Sequence, residues 1–168
     1  FTNIYRFSAD KVKKVGANHM AFAIFCCINY IVPYFMWTHQ QPTNFPVMLT
    51  LRIVAGILCV GLLLKDYWPE KLKPYFAVYW HATLVYCLPF VTTIMFILMG
   101  ADVEWLINLT LAIMLLAMLV DWMSFLLISA VGVALGYSFY RIFFGVPSIS
   151  SGFETIYLMV YICIFASL

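Results

Sequence analysis

Of the 168 residues, 65% are hydrophobic and only 10% are charged, whereas soluble domains carry roughly 25% charged residues. So few charges cannot cover a water-facing surface, which excludes a soluble domain of useful size. The net charge of +2 is too small to indicate a nucleic-acid partner, and the basic residues sit beside apolar runs, where membrane topology accounts for them.

A helix needs roughly 20 apolar residues to cross the hydrocarbon of a bilayer, and the spacing of apolar runs predicts six such helices. The expected fold is all-α: a polytopic bundle of six transmembrane helices in the lipid bilayer. Residues 1–14 form a cytoplasmic N-terminal segment, either an interfacial helix with Phe1, Ile4, Tyr5 and Phe7 toward lipid or a frayed terminus. Residues 15–168 form the membrane domain. Phe1 in first place and Leu168 inside an apolar run predict a piece of a longer protein.

The first span is expected over Val15–Trp37 and the second over Val47–Leu64. Arg52, one turn inside the second span, either snorkels to the headgroups or faces the bundle and meets a polar group. The basic loop KDYWPEKLK leads to a third span over Pro74–Met99. A tight turn at Gly100–Glu104 follows, then a short fourth span, Trp105–Val120. The fifth runs over Met123–Tyr140, and the sixth begins near Glu154. Tyr and Trp crowd the span ends, as interfacial belts require. Arg6, Lys11, Lys13 and Lys14 precede the first span and Lys65, Lys71 and Lys73 follow the second, which places both termini in the cytoplasm.

The polar and aromatic groups concentrate in the third and fourth spans. Pro89, in mid-span, lacks an N–H and presses its ring on the preceding turn, so a kink is expected there. It is the candidate hinge. Thr92 and Thr93 lie where they can meet freed backbone groups. Tyr79, Thr83, Tyr86 and Phe90 recur at i, i+4, i+7 and i+11, one face of a helix. That face supplies the apolar wall and few polar groups of a pocket, or equally a packing seam with interhelical hydrogen bonds. Trp105 and Asn108 share a face at the start of the fourth span. An indole N–H beside a carboxamide is able to orient a small carbonyl or hydroxyl ligand. His19 and His81 stand at comparable depth, the pattern of two axial haem ligands or of hydrogen-bonded packing. No protease, hydrolase or nucleotide-binding motif occurs, so the chain itself is read as carrying no catalytic site, metal or cofactor. The five cysteines, Cys26, Cys27, Cys59, Cys87 and Cys163, fall in apolar spans and read as small hydrophobes.

In the motifs Y-W-P-x-x-L-x-x-Y (Tyr67–Tyr75), Y-W-x-x-T-L-x-Y-C-L-P-F (Tyr79–Phe90), W-x-x-N (Trp105–Asn108) and V-D-W (Val120–Trp122), the chain resembles the six-span sensor region of quorum-sensing histidine kinases that detect long-chain α-hydroxyketone autoinducers. The resemblance implies a receptor for a small amphiphilic signal in a bacterial inner membrane, with a two-component kinase following the sixth span and homodimerisation through that kinase. It aligns Trp105 with a ligand-contacting tryptophan of the family and Cys163 with a cysteine that senses ligand length. Asn108 stands where some members carry a smaller Ser, and His81 replaces a more usual aromatic. The expected ligand-binding set is Tyr79, Thr83, Tyr86, Phe90, Trp105, Asn108, Tyr161 and Cys163. Tyr86, Trp105 and Asn108 are expected at the polar head, and Phe90, Tyr161 and Cys163 along the tail. A haem protein using His19 and His81, or a small-molecule transporter, is the alternative reading.

Overall fold

The computed structural model describes residues 18–36 and 45–145. The expected N-terminal segment, the sixth span, Tyr161 and Cys163 lie outside the described residues. Those that are described form helices and turns, with no strand among them. In chain order they are α1 (Asn18–Met36), α2 (Phe45–Leu63), α3 (Phe76–Val85), a π-helical turn (Tyr86–Phe90), α4 (Val91–Leu98), α5 (Val103–Leu119) and α6 (Trp122–Phe144). Three helical stretches among them are long and apolar enough to cross a membrane: Phe45–Leu63, Lys73–Leu98 and Trp122–Phe144. The stretch Asn18–Val32 and α5 are shorter apolar helices. The chain divides into two compact units, Phe1–Thr83 and Leu84–Leu168.

In the first unit α1 packs on α2. The buried positions of α1, His19, Phe22, Ala23, Cys26 and Tyr30, recur at i, i+3, i+4, i+7 and i+11. Those of α2, Met48, Leu51, Ala55, Cys59 and Leu62, follow a similar seam. Cys26 meets Cys59, the Cys27 thiol lies 4.0 Å from the Gly56 carbonyl, and Tyr30 is the electrostatic neighbour of Arg52. Partners descend along α2 as they ascend along α1, so the two helices are antiparallel. Arg52 is half-buried beside Tyr30. The opposite faces carry exposed Ile24, Phe25, Ile28, Ile53, Ile57 and Val60. Apolar surface on that scale belongs against lipid or protein.

The basic loop is tied back to α2 by aromatic side chains. The Trp68 indole N–H donates to the Gly61 carbonyl at 3.0 Å, and the Tyr79 hydroxyl donates to the Leu58 carbonyl at 2.9 Å. The two rings meet edge to face at 5.0 Å, a favoured arrangement of aromatic quadrupoles. Lys65 lies over the Phe76 ring, 5.5 Å from its centroid, and Lys73 pairs with Glu70 on the exposed rim. The tyrosine reaches α2 because Gly61 has no side chain: a Cβ there would come within 2.9 Å of the Tyr79 ring carbon that bears the hydroxyl, and closer still to its oxygen. Gly61→Ala is therefore expected to destabilise the protein by about 1–3 kcal/mol, read as a lower melting temperature in detergent. Adding Tyr79→Phe removes the colliding oxygen and should return part of the loss. Equal losses in the single and double variants would show that the collision is not the cause.

In the second unit each helix end has an identifiable terminator. After α4 the Gly100 N–H bonds the Ile97 carbonyl and the Ala101 N–H bonds the Phe96 carbonyl, a Schellman closure. Gly100 and Ala101 both take positive φ, 71° and 60°. The Asp102 carboxylate accepts from the Val103 N–H at 2.6 Å and starts α5. Asp121 accepts from the N–H of Ser124 at 3.3 Å and from its hydroxyl at 2.9 Å, and so caps α6. The helices α4, α5 and α6 pack on one another, with the π turn against α5 and α6. Every residue from Val91 to Ile97 is buried, which makes α4 the centre of this unit. On α6, Phe125, Ile128, Ser129, Gly132 and Gly136 form the buried face, while Leu127, Leu135 and Ile142 are exposed.

Candidate functional site

The proline kink expected at Pro89 takes the form of a π turn. Pro89 has no N–H to bond the Val85 carbonyl, and its ring would crowd that carbonyl in a regular helix. A wider turn relieves the crowding, and the ladder resumes with the Val91 N–H bonded to the Tyr86 carbonyl, five residues back. Thr92 donates its hydroxyl to the Leu88 carbonyl inside this turn. The Thr93 hydroxyl, in contrast, is buried and has no hydrogen-bond partner. The same holds for the Ser129 hydroxyl and the Trp80 indole N–H.

Pro89 seats on α6 through two glycines. A Cβ on Gly132 would lie 2.7 Å from the Pro89 Cβ and closer still to Cγ. A Cβ on Gly136 would lie 2.9 Å from the Phe90 carbonyl oxygen and 3.1 Å from the Thr93 Cβ. These contacts admit no side chain, so the bare α6 backbone forms the floor beneath the π turn. The two glycines make a G-x-x-x-G spacing within an apolar helix, a recognised signal for close helix approach that marks this contact in the sequence.

The expected site residues that are described fall in both units. Tyr79 and Thr83 lie in the first unit, and their hydroxyls are engaged by backbone: Tyr79 bonds Leu58, and Thr83 donates to the Tyr79 carbonyl at 2.8 Å. Tyr86 and Phe90, in the second unit, stack across the π turn at 5.1 Å with their rings 35° apart. Phe90 in turn meets Phe139 of α6 at 5.8 Å. Both Tyr86 and Phe90 are half-buried, as are Trp105 and Asn108 at the start of α5.

Depth orders these groups. Because α5 returns past α4 after a tight turn, residues equally far from the turn lie level. Trp105 is then about 3 Å below the turn and Asn108 about 7.5 Å, at 1.5 Å per residue. Phe90 is about 12 Å and Tyr86 about 18 Å below it on the same rise. On that rise Tyr86 stands about 10 Å deeper than Asn108 and about 15 Å deeper than Trp105, next to Phe90.

The two histidines belong to the first unit. His19 is buried, its ring edge-on to Phe76 at 5.5 Å and to Trp80 at 6.5 Å. His81 is half-buried, with Nδ1 2.7 Å from the Ala77 carbonyl.

No protein-family profile matches the chain, and no solved structure matches it. Among curated proteins, the chain is 26% identical over 117 residues to the CAI-1 autoinducer sensor kinase/phosphatase CqsS of Vibrio cholerae serotype O1. The match takes in 70% of this chain and 16% of that protein, so the chain corresponds to a small part of its relative. With its long apolar helices, the chain is a membrane protein similar to part of a quorum-sensing sensor kinase.

Proposed function

We propose that this chain is the ligand-sensing membrane domain of a quorum-sensing sensor kinase. It binds a small amphiphile of the α-hydroxyketone type. The observation that carries the reading is the similarity to the CAI-1 sensor over 117 residues. The depth order of the second unit supports it: half-buried polar groups near the turn, then a stacked aromatic pair further in. In this reading Trp105 and Asn108 hold the polar head, one donating from the indole and the other both donating and accepting. The tail runs past Phe90 and Tyr86 toward Tyr161 and Cys163 of the sixth span. Transfer of alkyl surface out of water supplies on the order of 0.8 kcal/mol per methylene, less for a ligand already dissolved in lipid. Tyr79 and Thr83 act as scaffold.

Six spans cross a bacterial inner membrane with both termini in the cytoplasm. The sixth leads to a dimeric histidine kinase, whose output changes when ligand favours one placement of that span. Bias of this kind requires different affinity for the two states, not merely tight binding.

The test is Trp105→Ala in the intact protein, with kinase output measured against the concentration of a synthetic α-hydroxyketone. The expected result is a response lost or moved at least tenfold to higher concentration, with expression and melting temperature retained. An unchanged dose response would remove Trp105 from the site.

A further inference from the structure

Five threonines fall among the described residues, and four of them follow one rule. Thr50, Thr83, Thr92 and Thr110 each donate their hydroxyl to the carbonyl four residues back, the usual resource of a hydroxyl inside an apolar helix. Thr93 is the exception. It is only 3% exposed, and its hydroxyl has no partner. A buried polar group left unpaired is costly, and such groups are rare enough that each needs an explanation.

Its surroundings supply one. The Thr93 Cβ and methyl are what a Cβ on Gly136 would meet, at 3.1 and 3.3 Å. The methyl, nearer to that position than the hydroxyl, thus takes the α6 side of the residue at Gly136. Along the antiparallel pair α4–α5, Thr93 stands five residues before the end of α4 at Leu98, and Asn108 five residues after the start of α5 at Val103. Both are therefore about 7.5 Å below the turn, one helical turn deeper than Trp105. An unpaired donor and a carboxamide lie at one depth in neighbouring helices of one unit.

Resting on the ligand reading given above, we infer that Thr93 completes the polar-head site, its hydroxyl donating to the carbonyl oxygen of the bound amphiphile. The adjacent ligand hydroxyl is then left for Asn108. A site built to hydrogen-bond a ligand group discriminates strongly against analogues that lack it, so Thr93 is a specificity-determining residue for the ketone.

The test uses Thr93→Val, which replaces the hydroxyl by a methyl of similar size, and Thr93→Ser, which keeps it. Binding of two synthetic probes is measured to the full chain in lipid nanodiscs: a linear α-hydroxyketone, and the plain secondary alcohol of the same length that lacks the carbonyl. Thr93→Val is expected to weaken hydroxyketone binding about tenfold and alcohol binding less than twofold, while Thr93→Ser stays near the parent for both. The ligand-free melting temperature of Thr93→Val is expected to hold or rise, because an unpaired buried hydroxyl is removed. A structural role would lower it, and equal weakening of both probes, or of neither, would overturn the assignment. If the parent protein binds neither probe, the ligand reading falls and Thr93 with it. If the parent binds and Thr93→Val binds equally well, only the role of Thr93 falls.

Discussion

Gly132→Ala is expected to lower the stability of the protein by about 1–3 kcal/mol, for the addition of one methyl group. The new Cβ would sit 2.7 Å from the Pro89 Cβ and closer to Cγ, where no real Cβ is found. Neither partner yields easily: the pyrrolidine ring is covalently fixed in the backbone of the π turn, and Gly132 lies in the middle of α6. The helices must separate, which forfeits the close packing that small residues provide in place of a hydrophobic driving force between membrane helices. Thermal unfolding in detergent reads the loss. Gly56→Ala is the internal contrast, because a Cβ there meets nothing within 4 Å. It should be neutral or stabilising by about 0.5–1 kcal/mol, the difference between Gly and Ala in a helix interior. Pro89→Ala combined with Gly132→Ala should recover part of the loss, since Cγ is gone while Cβ remains. A Gly132→Ala protein as stable as Gly56→Ala would show that the seat under Pro89 does not hold α6 in place.

In the sensor kinase proposed above, Pro89→Ala by itself is expected to change the ligand-free output and not only the ligand affinity. The substitution restores an N–H and removes the ring, which takes away the cause of the π turn. A return to regular α-helix would rotate Val91–Leu98, at about 100° per residue, against Gly132 and Gly136. That motion carries Thr93 and Phe90 relative to α6, so it alters the proposed site and the packing of the unit together. Allosteric couplings are typically about 1–3 kcal/mol, and a shift of that size moves a balanced two-state equilibrium about 5- to 150-fold. Kinase output against α-hydroxyketone concentration is the measurement, and a changed plateau without ligand is the expected result. If only the midpoint shifts and both plateaus stay, Pro89 shapes the pocket and does not set the switch.

Local chemistry made much of the fold legible. Apolar runs of membrane length, bounded by polar turns, located each described helix to within a few residues, because in hydrocarbon the backbone has no other way to satisfy its hydrogen bonds. Pro89 announced a disturbance in the third segment for an equally local reason. The identity of that disturbance was not local: a kinked α-helix and a π turn share the same sequence cue, and the bare Gly132–Gly136 floor is what accommodates the observed form. Asp121 shows the same limit on a smaller scale. It lies between the expected fourth and fifth spans, but its role as the α6 cap depends on the extended backbone at Val120 and Asp121.

The site divides along the same line. Sequence by itself determined which groups were available: the aromatic and hydroxyl residues of the third segment, and Trp105 with Asn108 one turn apart. Helical periodicity placed Tyr79, Thr83, Tyr86 and Phe90 on one face, but periodicity describes direction around an axis and says nothing of what lies opposite. Only the tertiary structure decided that Tyr79 is spent on the Leu58 carbonyl through the gap at Gly61. It also decided that Tyr86 stacks on Phe90 and that Thr93 alone among the described threonines keeps an unpaired hydroxyl. Each depends on a partner distant in sequence or on the packing of a neighbouring helix, and a pattern along one helix does not encode that partner.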